Sequence, residues 1–143
     1  MTVSRILEKK GHQVLTVAET APLSEAVKEL AKHHVGVLVV TDARGEPAGI
    51  ISERDVIREL AAGAAALDKP VSAAMTTLMC KCGLDDTEGE IMEMMGKAAV
   101  RHLPVQHGSK LVGVISARDI LNLRIEKLHE LMSEIMGEVG RKA

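Results

Sequence analysis

The pattern of apolar and polar positions predicts a regular succession of short strands and helices. Residues 2–10 place apolar side chains three and four positions apart, which predicts a short helix that ends at Gly11. Beyond it, continuous or alternating apolar runs predict strands, and a turn at Pro22 begins a second helix. In order, the first half is expected to contain a strand over 13–17, a helix of about ten residues after Pro22, strands over 35–40 and 48–51, and a helix over 55–62.

The second half of the chain repeats this order. An alanine-rich stretch over 61–74, with Gly63 and Pro70, is expected to connect the two halves. The elements predicted after it are strands over 78–82, 103–106 and 111–115, a helix over 88–95 and a helix from Asp119. The chain is therefore predicted to hold two β-α-β-β-α units of the α/β (α+β) class, preceded by a short helix.

One phrase shows the duplication in the residues themselves. Gly49-Ile-Ile-Ser-Glu-Arg-Asp55 returns as Gly113-Val-Ile-Ser-Ala-Arg-Asp119. In each copy a Ser ends a strand, and an Asp lies three positions later, where a helix begins. Helix N-termini bind phosphate through free N–H groups, and a carboxylate accepts hydrogen bonds from sugar hydroxyls. The phrase predicts two nucleotide-binding corners, whereas a single Ser-x-x-Asp is most often only a helix N-cap.

Composition narrows the class of protein. The 143 residues suffice for one good core, which the two halves are expected to share. A net charge of −2 gives no bias toward nucleic acid, and the absence of Phe, Tyr and Trp means that a bound base must lie between aliphatic side chains. No apolar run is long enough to span a bilayer and no signal peptide is recognisable, so we expect a cytoplasmic protein without nucleic-acid or membrane partners.

Candidate catalytic and metal-binding groups are sparse. The sequence has no nucleophile–base constellation and no Gly-rich phosphate loop, so no enzyme activity is expected. Cys80 and Cys82 lie two positions apart on one predicted strand, and a C-x-C pair alone lacks the ligand spacing of a metal site. No metal is therefore expected. His33 and His34 are expected at a helix C-terminus, where the helix dipole favours basic groups.

The double phrase, the turn at Pro22 and the segment Arg101-His-Leu-Pro-Val105 together resemble the tandem CBS (cystathionine-β-synthase) domain pair, in particular the stand-alone bacterial CBS-pair proteins. The similarity covers about residues 12–122. It implies two CBS repeats packed as a pseudo-twofold pair, with clefts that bind an adenine nucleotide: AMP first, with ADP, ATP, NAD or S-adenosylmethionine as alternatives. It also implies a homodimer and a regulated protein partner. The implied division is 1–67 for the N-terminal helix and first repeat, 68–122 for the second repeat and 123–143 for a C-terminal amphipathic helix.

The same resemblance implies which residues bind the ligand. The Ser and Asp of each phrase hold ribose hydroxyls and phosphate, and the Arg between them pairs with phosphate oxygens. Strand residues surround the base and the phosphates. The implied residues are Val17, Gly36, Val37, Leu38, Ser52, Arg54 and Asp55 in the first copy, and Cys82, Arg101, His102, Leu103, Pro104, Ser116, Arg118 and Asp119 in the second.

The two clefts are predicted to be unequal. The second copy has the basic pair Arg101 and His102 where the first has Gly and Val, and it lacks the usual Pro-containing turn at 83–86. If one cleft draws its strand and its Ser/Asp corner from the same repeat, the corner at Asp119 binds a phosphorylated ligand more strongly than the corner at Asp55. If the clefts are assembled across repeats, the order reverses.

The last helix has an apolar stripe with spacings of four and three residues. The stripe fits packing on its own domain, which is preferred, and it also fits a dimer contact, because it extends beyond the second copy. Two functions are compatible with the sequence: a ligand-sensing regulatory module, which is favoured, and a structural interaction protein with vestigial clefts. The stripe consists of Leu121, Ile125, Leu128, Met132, Ile135 and Val139.

Overall fold

The computed structural model describes residues 1–77 and 80–142, and of residue 142 the backbone alone. In this part of the chain the helices are α1 (Val3–Lys10), α2 (Leu23–His33), α3 (Glu53–Leu60), α4 (Val71–Ala74), α5 (Glu88–Ala98) and α6 (Ala117–Lys142), with a 3-10 helix over Ala64–Asp68. The strands are β1 (Thr16–Ala18), β2 (Val37–Thr41), β3 (Pro47–Ser52), β4 (Thr76–Thr77), β5 (His102–His107) and β6 (Lys110–Ser116).

The mixed α and β architecture and the duplicated order of elements are confirmed. The predicted connector over 61–74 contains the 3-10 helix and α4. The strand predicted over 78–82 lies partly outside the described residues, at 78 and 79. Of its described residues, Cys82 forms a single parallel bridge with Val105.

The strands of the two repeats pair in the same way. β1 runs parallel to β2, which runs antiparallel to β3, and β4 adds to the outer edge of β3. In the second repeat β5 and β6 are antiparallel. The bridge between Cys82 and Val105 is the counterpart of the pair Val17 and Val40, since both partners shift by 65 residues (82 − 17 and 105 − 40). The duplication therefore extends to the register of the strands.

Local residue chemistry sets the ends of the helices. α2 ends at His33, and His34 follows in the left-handed conformation with a φ of 53°, so the prediction for these histidines is confirmed. In the second repeat Thr87 Oγ1 accepts a hydrogen bond from the Glu90 N–H at 3.2 Å and caps α5. The turn at 83–86, which lacks proline, is closed by the Asp86 carboxylate, which accepts from the Gly83 N–H at 2.7 Å.

Each repeat has its own hydrophobic core. The segment before the second repeat completes the core of the first repeat, and the segment before the first repeat completes the core of the second. The first core includes Val71 of α4, whereas the second includes Ile6 and Leu7 of α1. The expectation of one shared core is therefore wrong. The cores are separate because side chains alternate between the two faces of a strand. Leu38 packs into the first core, while its neighbour Val39 is buried on the opposite face of the sheet.

The two glycines that begin the repeated phrase allow these segments to approach. A Cβ atom at Gly113 would lie 2.8 Å from both Cδ atoms of Leu7 in α1. A Cβ atom at Gly49 would lie 2.7 Å from the sulfur of Met75 and from the backbone oxygen of Thr76. Contacts this short require a neighbour to move: the backbone at Thr76 cannot, so glycine is needed at position 49, whereas at position 113 the end of the Leu7 side chain would have to shift.

α6 is buried only at its beginning. Ile120 and Leu123 are buried, whereas every residue from Arg124 to Arg141 is exposed. The preferred expectation, that the apolar stripe packs on its own domain, is therefore wrong. The side chains at 120 and 123 point into the second core, and the stripe lies on a different face of the helix. Across the described ranges, no helix is apolar enough over a sufficient length to cross a membrane.

Candidate functional site

The first Ser/Asp corner is a closed hydrogen-bonded unit at the start of α3. The Asp55 N–H donates to Ser52 Oγ at 3.2 Å, and both the N–H and the hydroxyl of Ser52 donate to Asp55 Oδ2 at 2.9 Å. Arg58, one turn further along α3, approaches the other carboxylate oxygen at 3.4 Å. Asp55 is only 6% exposed, and the hydrogen bonds with Ser52 hold its carboxylate in place. Its contact with the Arg58 cation is long. This is the capping box that the sequence pattern predicts.

The second corner repeats the two backbone hydrogen bonds of the first and has a different cation. The Asp119 N–H donates to Ser116 Oγ at 3.1 Å, and the Ser116 N–H donates to Asp119 Oδ2 at 2.8 Å. Lys10, the last residue of α1, donates to the same Oδ2 at 2.6 Å and to the Val114 carbonyl at 2.8 Å. The carboxylate of the second corner is thus already paired with a lysine from the N-terminal helix.

A cavity of about 400 Å³ opens in front of the first corner. This volume is within the range of sites that bind small organic ligands. We call it the Asp55 cavity. It is lined by Gly36, Val37, Ile50, Ser52, Glu53, Arg54, Asp55, Arg58, Thr76, Ala99, Val100, Arg101 and His102.

Both repeats contribute to the Asp55 cavity. Arg101 and His102 belong to the second repeat, yet they line the cavity of the Asp55 corner. The backbone carbonyl of Arg101 remains bound to its own repeat, where it accepts from the Ala117 N–H at 2.9 Å. The assumption that one cleft takes its strand and its corner from the same repeat is therefore wrong, because the pseudo-twofold packing places the start of β5 across from the start of α3.

A second cavity, of about 330 Å³, lies beside the other corner. We call it the Ser116 cavity. Gly36, Val37, Ile50 and His102 line both cavities, so the two are adjacent. Its wall is more aliphatic than that of the Asp55 cavity, and its residues are Lys10, Gln13, Leu15, His34, Val35, Gly36, Val37, Val39, Ile50, His102, Val114, Ser116 and Arg118.

The residues implied by the resemblance have three different placements. Those on the cavity walls are Gly36, Val37, Ser52, Arg54, Asp55, Arg101, His102, Ser116 and Arg118. Asp119 lies behind Ser116, in the capping hydrogen bonds and the contact with Lys10. The remaining residues are buried: Val17 and Leu38 in the first core, Cys82 and Leu103 in the second, and Pro104 in β5. For this buried group, contact with a ligand stays a prediction.

Two titratable groups near the cavities have shifted pKa values. Burial lowers the pKa of His102, and the cations Lys10 and Arg101 lower it further, whereas Asp119 opposes them. Above its pKa the imidazole is neutral and can accept or donate a hydrogen bond in either cavity. Burial raises the pKa of the Cys82 thiol to about 12, with added contributions from Asp86 and Cys80, so this thiol stays protonated.

Both cysteines are free, and Cys80 is half-buried. Within residues 1–77 and 80–142, no group of three or more His, Cys, Asp or Glu side chains is arranged to hold a metal ion.

Several cavity residues were not predicted from the sequence. Arg58 follows Asp55 by three positions, so helix periodicity alone could have placed the two side chains together. Lys10 carries no such signal, since it lies 109 residues from Asp119 in the chain. The aliphatic wall of the Ser116 cavity, which includes Leu15 and Val35, was likewise not predictable from the sequence, because it depends on how the repeats face each other.

The chain is similar to a known family of domains and to several solved structures. A model of the CBS domain matches residues 3–62 and 71–126. The structure of a CBS-domain containing protein from Agrobacterium tumefaciens is 39% identical, with a TM-score of 0.78, over 86% of this chain and 92% of that one. A CBS domain protein from Pyrobaculum aerophilum complexed with AMP is 30% identical, with a TM-score of 0.73, over 83% and 89% of the two chains.

The CBS domain pair of protein MJ0100, in complex with 5′-methylthioadenosine and S-adenosyl-L-methionine, is also similar. It is 26% identical with a TM-score of 0.75, and the match covers 89% of this chain and 98% of that one. The family model matches each half of the chain once, in agreement with the two Ser/Asp corners. The chain belongs to the family of CBS domain proteins, as a tandem pair.

Proposed function

We propose that this chain is a regulatory module that binds an adenine nucleotide in the Asp55 cavity. The observation that supports it is the buried Asp55 carboxylate, held by Ser52 at the wall of a cavity that three arginines also line. The carboxylate is suited to accept hydrogen bonds from ribose hydroxyls, and guanidinium groups bind phosphate through paired N–H donors. The AMP complex of the similar Pyrobaculum aerophilum protein supports the ligand class.

The charge of the lining residues favours an anionic ligand. Arg54, Arg58 and Arg101 contribute three positive charges, and Glu53 and Asp55 contribute two negative ones, so the wall has a net charge of +1 (3 − 2) with His102 neutral. Val37 and Ile50 provide aliphatic surface on which the adenine ring can lie, since the chain has no aromatic residue. A phosphorylated adenosine compound matches both properties.

The Ser116 cavity is proposed as the weaker nucleotide site. The Asp119 carboxylate lies behind Ser116, outside the cavity wall, and Lys10 binds it at 2.6 Å, so a ribose hydroxyl that reaches this carboxylate must compete with a protein cation for the same oxygen. The cavity wall combines six aliphatic residues with the cations Lys10 and Arg118, so it offers apolar surface for an adenosine part and positive charge for a phosphate group.

Nucleotide binding can be tested directly, because the chain has no Trp, Tyr or Phe and hence little absorbance of its own at 260 nm. Purified protein with an adenine absorption band carries a co-purified ligand, which chromatography after acid release identifies. Titration calorimetry with AMP, ADP, ATP, NAD and S-adenosylmethionine should give a micromolar dissociation constant for at least one, or about −8 kcal/mol. No heat with any of the five, from protein shown to be free of ligand, would contradict the proposal.

Two variants locate the site. Arg101→Ala, at an exposed position, should weaken AMP binding without loss of the fold. Lys81→Ala, which removes an exposed cation outside both cavities, is its matched control and should leave binding unchanged. Equal affinities of the two variants would place the phosphate elsewhere.

We infer further that the regulatory output passes through protein contacts and that the chain acts as a homodimer. The observation that favours this is the apolar stripe of α6, which is exposed over its whole length. Apolar surface of this extent is typical of interaction sites. Sedimentation equilibrium should give twice the mass of one chain, and a monomer at all accessible concentrations would contradict the inference.

A further inference from the structure

α6 continues well beyond the body of the molecule. Arg124 and Glu126 still form ion pairs, with Glu88 and Lys9, but no residue from Arg124 to Arg141 is buried. In proteins, most helical stability comes from the packing of an apolar face against another element. The large apolar side chains on this helix are 43–71% exposed, and they are Leu121, Ile125, Leu128, Leu131, Met132, Ile135, Met136 and Val139.

These side chains follow a heptad pattern. Ile125, Met132 and Val139 are seven residues apart and occupy the a positions, and Leu121, Leu128 and Ile135 occupy the d positions. The stripe spans 18 residue steps, or about 27 Å of helix. An apolar heptad seam of this length is what a second helix packs against.

The stripe is complementary to itself when two copies run in opposite directions. In an antiparallel pair centred on residue 130, a positions face d positions across a two-fold axis. Leu121 then faces Val139 of the second copy, Ile125 faces Ile135, and Leu128 faces Met132. Every seam position is matched with another apolar residue.

The flanking charges distinguish the two orientations. Arg124, Leu131 and Glu138 are the g positions, and in an antiparallel pair g positions face each other. Arg124 then meets Glu138 of the second copy, twice by symmetry, and Leu131 meets its own equivalent at the axis. In a parallel pair g positions face e positions, so Arg124 meets His129 and Leu131 meets Met136. The antiparallel arrangement alone forms oppositely charged pairs here.

We propose that two copies of this chain pair through α6 as an antiparallel two-helix seam, with the two-fold axis beside Leu131. This arrangement rests on the proposed homodimer and names its interface. Arg124 already donates from its Nε to Glu88 at 3.3 Å. It can pair with Glu138 of the second copy as well, because the guanidinium carries four further N–H donors. The arrangement places the two CBS pairs at opposite ends of the helix pair, joined by the six a and d side chains of each copy.

The seam is tested by sedimentation equilibrium of the full chain. Leu128→Lys places a charge in the middle of the seam, twice per dimer, and should weaken dimerisation by about a hundred-fold or more. Glu130→Lys, an exposed position on the opposite face of α6, is the matched control and should leave the dimer unchanged. Circular dichroism of each variant establishes that it is folded.

Orientation is tested by charge reversal. Glu138→Arg should weaken the dimer by about tenfold, because two attractive pairs become repulsive. Combining it with Arg124→Glu should restore most of the affinity, since the pairs form again with exchanged partners. Loss without recovery in the double variant, or no loss in Glu138→Arg, would overturn the antiparallel orientation. A dimer that Leu128→Lys leaves intact would overturn the seam and keep the homodimer, whereas a monomeric wild-type chain would overturn both.

Discussion

The two Ser/Asp corners share their backbone hydrogen bonds and differ in what approaches them from outside. In each, the Asp N–H donates to the Ser hydroxyl, at 3.2 Å in the first and 3.1 Å in the second. At Asp55 the nearest cation is Arg58, at 3.4 Å, whereas at Asp119 it is Lys10, at 2.6 Å. Duplication has thus preserved the local corner, and the segments packed against it have made the two sites different.

The origin of this difference lies in the segments that precede the repeats. β4 and Met75 approach the edge of β3 at Gly49, and α1 approaches the edge of β6 at Gly113. The two approaching segments have unrelated sequences. α1 brings Lys10 to the Asp119 corner, whereas the segment at Met75 and β4 brings no lysine to the Asp55 corner. Equivalent corners in a tandem repeat therefore need not bind equivalent ligands.

The largest expected effect is on ligand affinity at the Asp55 corner. Asp55→Ala removes the acceptor for ribose hydroxyls, and charge-assisted hydrogen bonds of this kind contribute about 1.5–3 kcal/mol, so AMP should bind about 10–100-fold more weakly. Asp119→Ala should have a smaller effect on the dominant binding event, since Lys10 already occupies that carboxylate. Calorimetry on both variants, with exposed Asp85→Ala as control, measures this. A greater loss in Asp119→Ala would reverse the ranking of the two cavities.

The second expected effect is on stability at the two edge glycines. Gly49→Ala forces a methyl group against the backbone oxygen of Thr76, which cannot move aside, and should cost about 1–3 kcal/mol of unfolding free energy. Gly113→Ala meets only the flexible end of Leu7 and should cost less. Chemical denaturation compares them, and Gly96→Ala, in the open middle of α5, should not destabilise the protein. If Gly49→Ala and Gly113→Ala lose the same unfolding free energy, the Leu7 side chain is as unable to move aside as the backbone at Thr76.

A smaller effect is expected from Lys10→Met. The ion pair with Asp119 is partly exposed, so its loss should cost at most about 1 kcal/mol of stability. It should also free the Asp119 oxygen and tighten the binding of adenosine, which has no phosphate for Lys10 to attract, by a few-fold. Lys9→Met, which breaks the exposed pair with Glu126, is the control. Unchanged or weaker adenosine binding would remove Lys10 as the cause of the inequality.

The smallest effect concerns pH. Burial, Lys10 and Arg101 lower the pKa of His102, against the opposing charge of Asp119, so the unfolded chain binds a proton more readily than the folded one. The associated stability is present above the ordinary histidine pKa and declines as pH falls toward the lowered value. Denaturation midpoints between pH 7.5 and pH 5 should therefore fall less in His102→Gln than in wild type. His107→Gln, at an exposed position, should behave like wild type.

Local features were predictable because they depend on residues a few positions apart. The capping box of Ser52 and Asp55, the helix end at His33 and His34, and the duplicated order of elements are of this kind. Hydrogen bonds over three positions and periodic apolar residues leave a direct trace in the sequence. The same holds for the apolar stripe of α6, whose existence was evident although its exposure was not.

The composition of the cavities was decided by tertiary structure. Arg101 reaches the corner of Asp55, and Lys10 reaches that of Asp119, across 46 residues (101 − 55) and 109 residues of chain. Each meeting depends on the pseudo-twofold packing of the repeats and on which core accepts α1 and α4. No local sequence pattern determines this packing. It depends on how well entire buried surfaces fit together, and that fit is the sum of many small contacts between distant parts of the chain.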